Sequence, residues 1–275
     1  MFDFVGTGHN GGGRACAVLA QQRQDRILTE LRRAGAVRVA DLTELLNVSD
    51  MTIRRDLEQL ATDGVARKVH GGAVLAGQVG FEPGFAVKSQ LAQPAKQAIA
   101  ERAATLIQPG AAIGISAGTT TWALARHVAS MPGITVVTNS TTVADVITAI
   151  DTASQVSVIL TGGVRTPSSA LVGPVADRTI ASMHVDLLFL GVHGMDARAG
   201  FTTPNLAEAT TNRAFVESAR QVIVLADSSK WGVVGLADIG PLSVAKTVIT
   251  DEGLSRDGRR ALGEAVESVF TVAVA

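Results

Sequence analysis

From Lys96 onward, short apolar runs typical of buried strands alternate with segments of helical periodicity. Parallel strands covered by helices on both faces are near-continuous runs of Val, Ile and Leu. The alternation predicts a doubly wound, mostly parallel α/β domain over 95–275. The predicted strands are Ala111–Ser116, Ile134–Thr138, Val156–Thr161, Val185–Gly191, Val222–Ala226, Thr247–Thr250 and Ser268–Val274. The predicted helices are 96–107, 119–130, 141–150, 174–183, 205–219 and 256–266.

Three apolar stripes at helical spacing precede this domain. They consist of Ile27, Leu28 and Leu31, then Val39, Leu42, Leu45 and Leu46, then Ile53, Leu57 and Leu60. Ser49 is a good N-cap for the third helix, and Gly64 is expected to end it. Two strand-like runs, Val65 to Val69 and Ala73 to Leu75, flank Gly71-Gly72 and predict a hairpin. Three helices followed by a hairpin predict a winged helix-turn-helix domain over 21–76.

The other two segments are rich in glycine. Residues 1–20 have little periodic pattern and are expected to form a flexible tail, and 77–94 are expected to form a linker. The tail contains Gly6-Thr7-Gly8-His9-Asn10-Gly11, which matches the G-x-G-x-x-G pattern of dinucleotide sites. That pattern needs a preceding strand within a βαβ unit. Because only a few residues precede it and helices follow, dinucleotide binding is not favoured.

Composition excludes several classes of protein. Apolar residues make up 47% of the chain and charged residues 18%, which supports a packed core and argues against widespread disorder. The sequence lacks an apolar run long enough for a membrane span and a secretory leader, so the cytoplasm is the expected compartment. Cys16 is the only cysteine, which excludes an internal disulfide and a cysteine-based zinc site. No metal, cofactor or catalytic residue is expected.

The third helix of the first domain has the strongest functional pattern. Its inner face takes the apolar residues, which leaves Met51, Thr52, Arg54 and Arg55 for other faces. Arginine pairs with guanine edges or phosphates, threonine can contact a phosphate or a thymine methyl, and a helix N-terminus favours a phosphate. The hairpin adds Arg67, Lys68 and His70, which suit contact with phosphates or the minor groove. These residues predict binding to double-stranded operator DNA.

Charge gives an alternative interpretation of the same residues. The net charge of the chain is −1, and residues 21–77 hold nine Arg or Lys against eight Asp or Glu. DNA contacts must therefore come from local placement of cations, not from overall charge. The arginines of the third helix could instead form a solvated face paired to Asp56 and Glu58.

Polar loops follow four predicted strands of the second domain, where ligands of α/β sheets bind. The first, Gly118-Thr119-Thr120-Thr121, opens a helix and supplies hydroxyls and free amides for an anion, although a threonine N-cap would need only one hydroxyl. The others are Thr138-Asn139-Ser140, Gly162-Gly163 with Arg165, and Asp227-Ser228-Ser229-Lys230. A further loop holds His193 and Asp196, and Glu208 lies on the next helix. The predicted effector-binding residues are Gly118, Thr119, Thr120, Thr121, Thr138, Asn139, Ser140, Gly162, Gly163, Arg165, Asp196, Glu208 and Lys230.

The segment Val39 to Leu75, with "VSDMTIRRDLEQL" and "HGGA", resembles the head of the DeoR family of bacterial regulators. The resemblance continues through "GTTT", "VVTNS", "FLGVHGMD", "EATTNRA" and "VLADSSKWG", and it covers residues 21 to about 252. It implies a repressor of sugar catabolism that responds to a phosphorylated intermediate, with a sensor domain similar in fold to ribose-5-phosphate isomerase. It also implies that Ser49, Thr52, Arg54 and Arg55 contact the operator. Helix-turn-helix regulators bind two DNA half-sites through dimer symmetry, which implies a homodimer or homotetramer.

The chain departs from the family pattern at two positions. Ser116 stands where the family usually has aspartate, and Asn212 stands where it usually has lysine. The loss of one carboxylate and one cation indicates either a changed effector or a pocket that no longer binds a sugar phosphate.

Two other functions match parts of the sequence pattern. A phosphosugar isomerase would need a base and an electrophile, for which Lys230 with Asp227 or Asp196 are candidates, but an isomerase has no use for operator-reading arginines. A Rossmann-like redox sensor would need a glycine-rich first turn and an acidic residue after the second strand. That strand ends in Thr138-Asn139, so this function is not favoured.

Overall fold

The computed structural model describes residues 12–63, 65–69, 71–75, 85–151 and 155–274. The chain divides into two units, Met1–Gly77 and Gln78–Ala275. They are called the head unit and the sensor unit below.

The head unit combines three helices with a small antiparallel sheet. Its elements are α1 (Gly12–Ala34), β1 (Ala36–Arg38), α2 (Val39–Leu46), α3 (Asp50–Thr62), β2 (Ala66–Val69) and β3 (Gly72–Leu75). Asn47 ends α2 in the left-handed conformation, with φ of 49°. Ser49 caps α3 by accepting a hydrogen bond from the Thr52 N–H at 3.3 Å. With the sheet order β1-β3-β2, this is the predicted winged helix-turn-helix.

The apolar stripes of the sequence form the core of the head unit. Ile27, Leu31, Leu42, Ile53 and Leu57 are among its buried residues. The three-residue strand β1 was not predicted, because so short a run has no detectable period. Helix α1 begins at Gly12, so 12–20 are helical although they were expected to lie in a flexible tail. Residues 1–11, which contain the G-x-G-x-x-G match, lie outside the described residues.

The sensor unit alternates helices and strands along its length. Its elements are α4 (Phe85–Gln90), α5 (Gln93–Ala104), β4 (Ala112–Ile115), α6 (Thr119–Val128), β5 (Thr135–Thr138), α7 (Thr141–Ile150), β6 (Ser157–Leu160), β7 (Val164–Arg165), β8 (Leu171–Val172), α8 (Pro174–Ala181), β9 (Val185–Gly191), β10 (Gly194–Asp196), β11 (Gly200–Thr203), α9 (Leu206–Ser218), β12 (Ala219–Leu225), β13 (Ala237–Gly240), β14 (Thr247–Asp251), α10 (Arg256–Ala265) and β15 (Ser268–Val272).

Seven of these strands form one parallel sheet in the order β15-β14-β12-β9-β4-β5-β6. This confirms the predicted doubly wound, mostly parallel α/β domain. From β4, the chain first builds the sheet outward through β5 and β6, and it then returns to place β9 on the other side of β4. The order reverses between β4 and β9, and the crevice at the carboxyl ends of such strands is where this fold binds ligands.

Two helical layers cover the two faces of the sheet. Ile113, Ile115 and Phe189 pack into the apolar cluster that contains residues of α5, α6 and α7. The alternate residues Leu188 and Leu190 pack into the cluster that contains residues of α8, α9 and α10. Because successive side chains of a strand point to opposite faces, each strand contributes to both layers.

Smaller elements surround the main sheet. Strands β10, β11 and β13 form an antiparallel sheet, and β7 pairs with β8. The predicted linker, 77–94, is helical at its end, since α4 begins at Phe85 and α5 at Gln93. Residues 76–84 lie outside the described residues. Within the described ranges, no helix is long and apolar enough to cross a bilayer.

Candidate functional site

One face of α3 leaves the head unit open to a partner. Ile53 and Leu57 are fully buried on the inner face, whereas Met51 is 80% exposed on the first turn. Arg54 and Arg55 are exposed, and the Thr52 hydroxyl lies 2.8 Å from the Ser49 hydroxyl. The helix therefore presents an apolar tip, hydroxyls and two guanidinium groups together at its N-terminal end.

The ion pairs of this surface are exposed and exchangeable. Arg54 Nε donates to Asp50 Oδ1 at 2.5 Å, and this hydrogen bond raises the pKa of the guanidinium above its ordinary value. Lys68 of β2 pairs with Glu58 at 3.0 Å. Exposed pairs of this kind contribute roughly 0–1 kcal/mol, so a phosphate can replace the carboxylate at little cost.

The alternative pairing, of the arginines of α3 with Asp56 and Glu58, is not the one in the structure. Asp56 is buried and accepts hydrogen bonds from Arg23 of α1, at 3.0 Å from Nη2. Among the described residues, Arg55 forms no ion pair. Arg67 lies half-buried on β2, and His70 lies outside the described residues.

The sensor unit has a cleft at the point where the order of its main sheet reverses. The cleft encloses about 520 Å³, counting space open to solvent. It is lined by Lys88, Ala117, Gly118, Thr119, Thr120, Gly191, Val192, His193, Thr203, Glu208, Asn212 and Lys230. Five predicted effector-binding residues are among them: Gly118, Thr119, Thr120, Glu208 and Lys230.

Small residues form the floor of the cleft. A Cβ atom added to Gly191 would lie 3.7 Å from the Gly118 Cα, and one added to Gly118 would lie 3.0 Å from the Thr121 hydroxyl. The ends of β4 and β9 thus lie side by side at the cleft, with little space above Gly118 for a side chain. Helix α6 begins directly after Gly118, so its first-turn N–H groups lie at the cleft without intrahelical acceptors.

The two walls of the cleft come from different helical layers. Lys88 of α4, Thr119 and Thr120 form one wall, together with the N-terminus of α6. Glu208 and Asn212, one turn apart on α9, form the other wall.

The Glu208 carboxylate is held by hydroxyl groups of the β7–β8 loop. Its Oε1 accepts hydrogen bonds from Thr166, at 2.7 Å, and from Ser168. The Asn205 side chain caps α9 by accepting from the N–H groups of Ala207 and Glu208. The loop and the cap therefore fix the position of the carboxylate.

Three polar side chains of the cleft form no hydrogen bond with the residues that the structure describes. They belong to Thr120, Thr203 and Asn212, which are buried residues that line the open cleft. An open site lined by such groups is suited to a polar ligand.

A charged cluster lies beside Lys230. Lys96 is only 6% exposed, and its Nζ donates to the Lys88 carbonyl oxygen at 2.5 Å. Burial, reinforced by the Lys230 and Lys88 cations and opposed by Asp227, lowers the pKa of Lys96 from 10.5 to about 7. Burial alone would raise the pKa of Asp227, but Lys230, Lys96 and hydrogen bonds from Ser229 lower it overall.

Four of the predicted effector-binding residues instead hold strand ends in place. The Thr121 hydroxyl donates to the Gly118 carbonyl oxygen at 3.0 Å, and the Thr138 hydroxyl donates to that of Ile115 at 2.6 Å. Asn139 accepts from the Ala117 N–H at 2.9 Å, and Ser140 caps α7. None of the four lines this cleft.

Four further predicted residues also lie away from the cleft. Gly162 and Gly163 follow β6, and Arg165 of β7 donates to the Ser169 hydroxyl at 2.8 Å. Gly163 has φ of 113°, and a Cβ there would lie 2.6 Å from the Val172 carbonyl oxygen, so the position requires glycine. Asp196 accepts from the N–H groups of a turn, which lowers the pKa of its carboxyl.

Other cleft residues were not among those predicted. Gly191 ends β9, Val192 and His193 follow it, and the same strand-end rule could find all three, whereas nothing in the sequence around Lys88 indicates its place. Asn212 was singled out only as a departure from the family pattern. Ser116, the other departure, is buried outside the cleft and accepts a hydrogen bond from the Gly191 N–H at 2.9 Å.

No group of three or more metal-ligating side chains occurs among the residues that the structure describes.

Comparison with known proteins identifies both units. A family of DeoR-like helix-turn-helix domains matches residues 23–79, and the family of DeoR C-terminal sensor domains matches residues 92–252. The chain is 39% identical to the uncharacterized HTH-type transcriptional regulator YgbI of Escherichia coli K12, over 88% of this chain and 93% of that protein. It is 35% identical to a putative aga operon transcriptional repressor of E. coli O157:H7, over 91% and 93%.

A third relative also aligns over most of both chains. The HTH-type transcriptional regulator GlpR of Haloferax volcanii is 36% identical over 90% of this chain and 96% of that protein. Among solved structures, ribose 5-phosphate isomerase A of Methanocaldococcus jannaschii has a TM-score of 0.37 and 15% identity, over 50% of this chain and 53% of that chain. A likeness of that size carries no argument about activity.

Proposed function

The chain belongs to the DeoR family of DNA-binding transcriptional regulators, and from that premise we propose that it represses genes of sugar or sugar-derivative catabolism. In this proposal α3 binds operator DNA and the cleft of the sensor unit binds a phosphorylated, sugar-like effector. A relative named as an aga operon repressor supports the link to catabolism.

The exposed N-terminal half of α3 supports the proposed operator contacts. An arginine fork can pair with guanine, and an exposed methionine can contact a thymine methyl. We propose contacts from Ser49, Met51, Thr52, Arg54 and Arg55, with Arg67, Lys68 and His70 from the hairpin. Helix-turn-helix proteins bind two half-sites as dimers, so we propose a homodimer or a homotetramer.

The combination of an open helix N-terminus with two lysines carries the effector proposal. The first-turn amides of α6 and the ammonium groups of Lys88 and Lys230 meet at one cleft. Free amides at a helix N-terminus together with cations are a common phosphate-binding arrangement. The unpaired hydroxyls and the amide of the cleft suit the hydroxyl groups of a sugar.

Coupling between effector and operator follows from linkage. If the effector binds one arrangement of the protein better than another, it can shift the affinity for DNA by at most that preference, and DNA must change the affinity for the effector by the same factor as the effector changes that for DNA. An isomerase activity is not favoured, because the chain matches regulator families in both of its units.

A gel-shift experiment on operator DNA tests the assignment of α3. Arg55→Ala is expected to weaken specific retention at least about fivefold, since a bidentate arginine contributes roughly 1–3 kcal/mol of discrimination. Arg260→Ala, in exposed α10, serves as the matched control and should bind as the unchanged protein does. Equal retention by the two variants would remove Arg55 from the interface.

A second arm tests the cleft. Thr119→Ala and Lys230→Ala should retain the operator but respond less to a panel of pentose and hexose monophosphates. Lys246→Ala, an exposed lysine outside the cleft, is the control. A normal response by both cleft variants would refute the effector site while leaving DNA binding intact.

A further inference from the structure

We infer that the cleft selects a sugar monophosphate whose other end is uncharged and hydroxylated, and that it discriminates against sugar bisphosphates and phosphorylated sugar acids. The inference rests on the proposed function, since it specifies the ligand of the same cleft. It follows from the different chemistry of the two walls.

The first wall suits one phosphate group. Among the described residues lining the cleft, the lysine and arginine side chains are Lys88 and Lys230. Thr120 and the first turn of α6 line the same cleft. The two ammonium groups favour one phosphate dianion, and the described part of the cleft lining holds no further arginine or lysine to favour a second.

The second wall carries the opposite charge. Glu208 is buried, and hydroxyl groups of Thr166 and Ser168 hold its carboxylate in place. A carboxylate accepts hydrogen bonds from sugar hydroxyls, and it repels a phosphate or carboxylate placed beside it. The neighbouring cation cluster does not change this, because Lys96 donates to the Lys88 carbonyl oxygen and adjoins Asp227 instead of lining the cleft.

Asn212 gives an independent indication of the ligand. Its side chain is 8% exposed, lines the cleft and forms no hydrogen bond with any described residue. The amide borders the open cleft, where it can both donate to and accept from a hydroxyl of a ligand. Because Asn212 lies one turn after Glu208 on α9, one ligand end can contact both side chains.

Calorimetric titration of the full chain with two matched pairs of ligands tests the inference. Glucitol 6-phosphate and 6-phosphogluconate differ at C1, where the second has a carboxylate in place of a hydroxymethyl group. Fructose 6-phosphate and fructose 1,6-bisphosphate differ by one phosphate. The uncharged-end member of each pair is expected to bind at least about tenfold more tightly, because like charges in a partly buried cleft repel strongly.

Variants on α9 assign the discrimination to its residues. Asn212→Lys supplies a cation and should reduce the preference to less than about threefold or reverse it, and Glu208→Gln should act in the same direction. Glu217→Gln, an exposed position on the same helix, should leave the preference unchanged. Operator binding by each variant reports that it is folded, and Asn212→Lys alone suffices if Glu208→Gln does not fold.

The outcomes separate this inference from the proposed function. Equal or tighter binding of 6-phosphogluconate and fructose 1,6-bisphosphate by the unchanged protein overturns the inference and leaves a phosphate-responsive regulator. An unaltered preference in Asn212→Lys also overturns it. Absence of binding by all four ligands, with operator binding intact, defeats the proposed effector class and the inference together.

Discussion

Raising the pH is expected to stabilise the sensor unit through one buried lysine. Lys96 has its pKa lowered to about 7 by burial, with Lys230 adding to the effect, whereas in the unfolded chain it keeps an ordinary value near 10.5. Between these values the unfolded state binds more protons than the folded state. The free energy of unfolding therefore rises with pH in that window, by up to about 1.4 kcal/mol per pH unit. Below the folded value both states are protonated and this slope disappears.

The size of the effect can be worked out for an accessible range. Between about pH 6.5 and about pH 8.5, a group with a folded pKa near 7 adds about 2 kcal/mol to the free energy of unfolding. Urea unfolding followed by tryptophan fluorescence measures it, because both tryptophans of the chain, Trp122 and Trp231, lie in the sensor unit. Lys96→Met should lack this increment.

The comparison between variants isolates Lys96 from other groups that titrate in this range. Lys246→Met removes an exposed lysine that is paired with Glu267, and it should keep the full slope. If Lys96→Met and the unchanged protein gain the same stability across the range, the lysine is not the source, and the reasoning from its burial fails.

Two further predictions concern stability. Gly163→Ala should destabilise the sensor unit by about 2 kcal/mol or more, because the φ of Gly163 is positive and the added Cβ would meet the Val172 carbonyl oxygen. Gly263 lies in a helix with open space around it, so Gly263→Ala should be neutral or slightly stabilising. The same urea assay measures both variants. Asp56→Asn should lower the stability of the head unit by about 3 kcal/mol, since it leaves the Arg23 guanidinium without its buried carboxylate. Thermal unfolding followed by circular dichroism should show the first transition at a lower temperature. An unchanged transition temperature would contradict the prediction.

Much of the fold could be predicted where local signals agree with packing. Helix α7 and strand β9 have the predicted limits, Thr141–Ile150 and Val185–Gly191, because Ser140 is an N-cap and the strand is an apolar run interrupted only by Asp186. The short strands β10, β11 and β13 were not predicted. Strand β11 pairs with β13, which lies far along the chain, and strands of three or four residues carry no period that a sequence pattern can detect.

The candidate cleft was only partly predictable, for a physical reason. A polar residue after a strand can line an open cleft, as Thr119 and Thr120 do, or it can bind the backbone of a neighbouring strand end, as Thr138 and Asn139 do. Composition does not distinguish these uses, since both need a small hydrogen-bonding side chain. Lys88 could not be found because its place depends on how α4 packs on α6, which is a tertiary property.

The two walls of the cleft belong to separately packed halves of the sensor unit. The wall of Lys88, Thr119 and Thr120 is supported by one apolar cluster and the α9 wall by the other. If the proposed effector site is correct, substitutions at positions 208 and 212 should change which ligand is accepted without disturbing the packing beneath the other wall. Such a regulator could then be redirected to a new metabolite through one helix, while its operator contacts and its phosphate contacts stay unchanged.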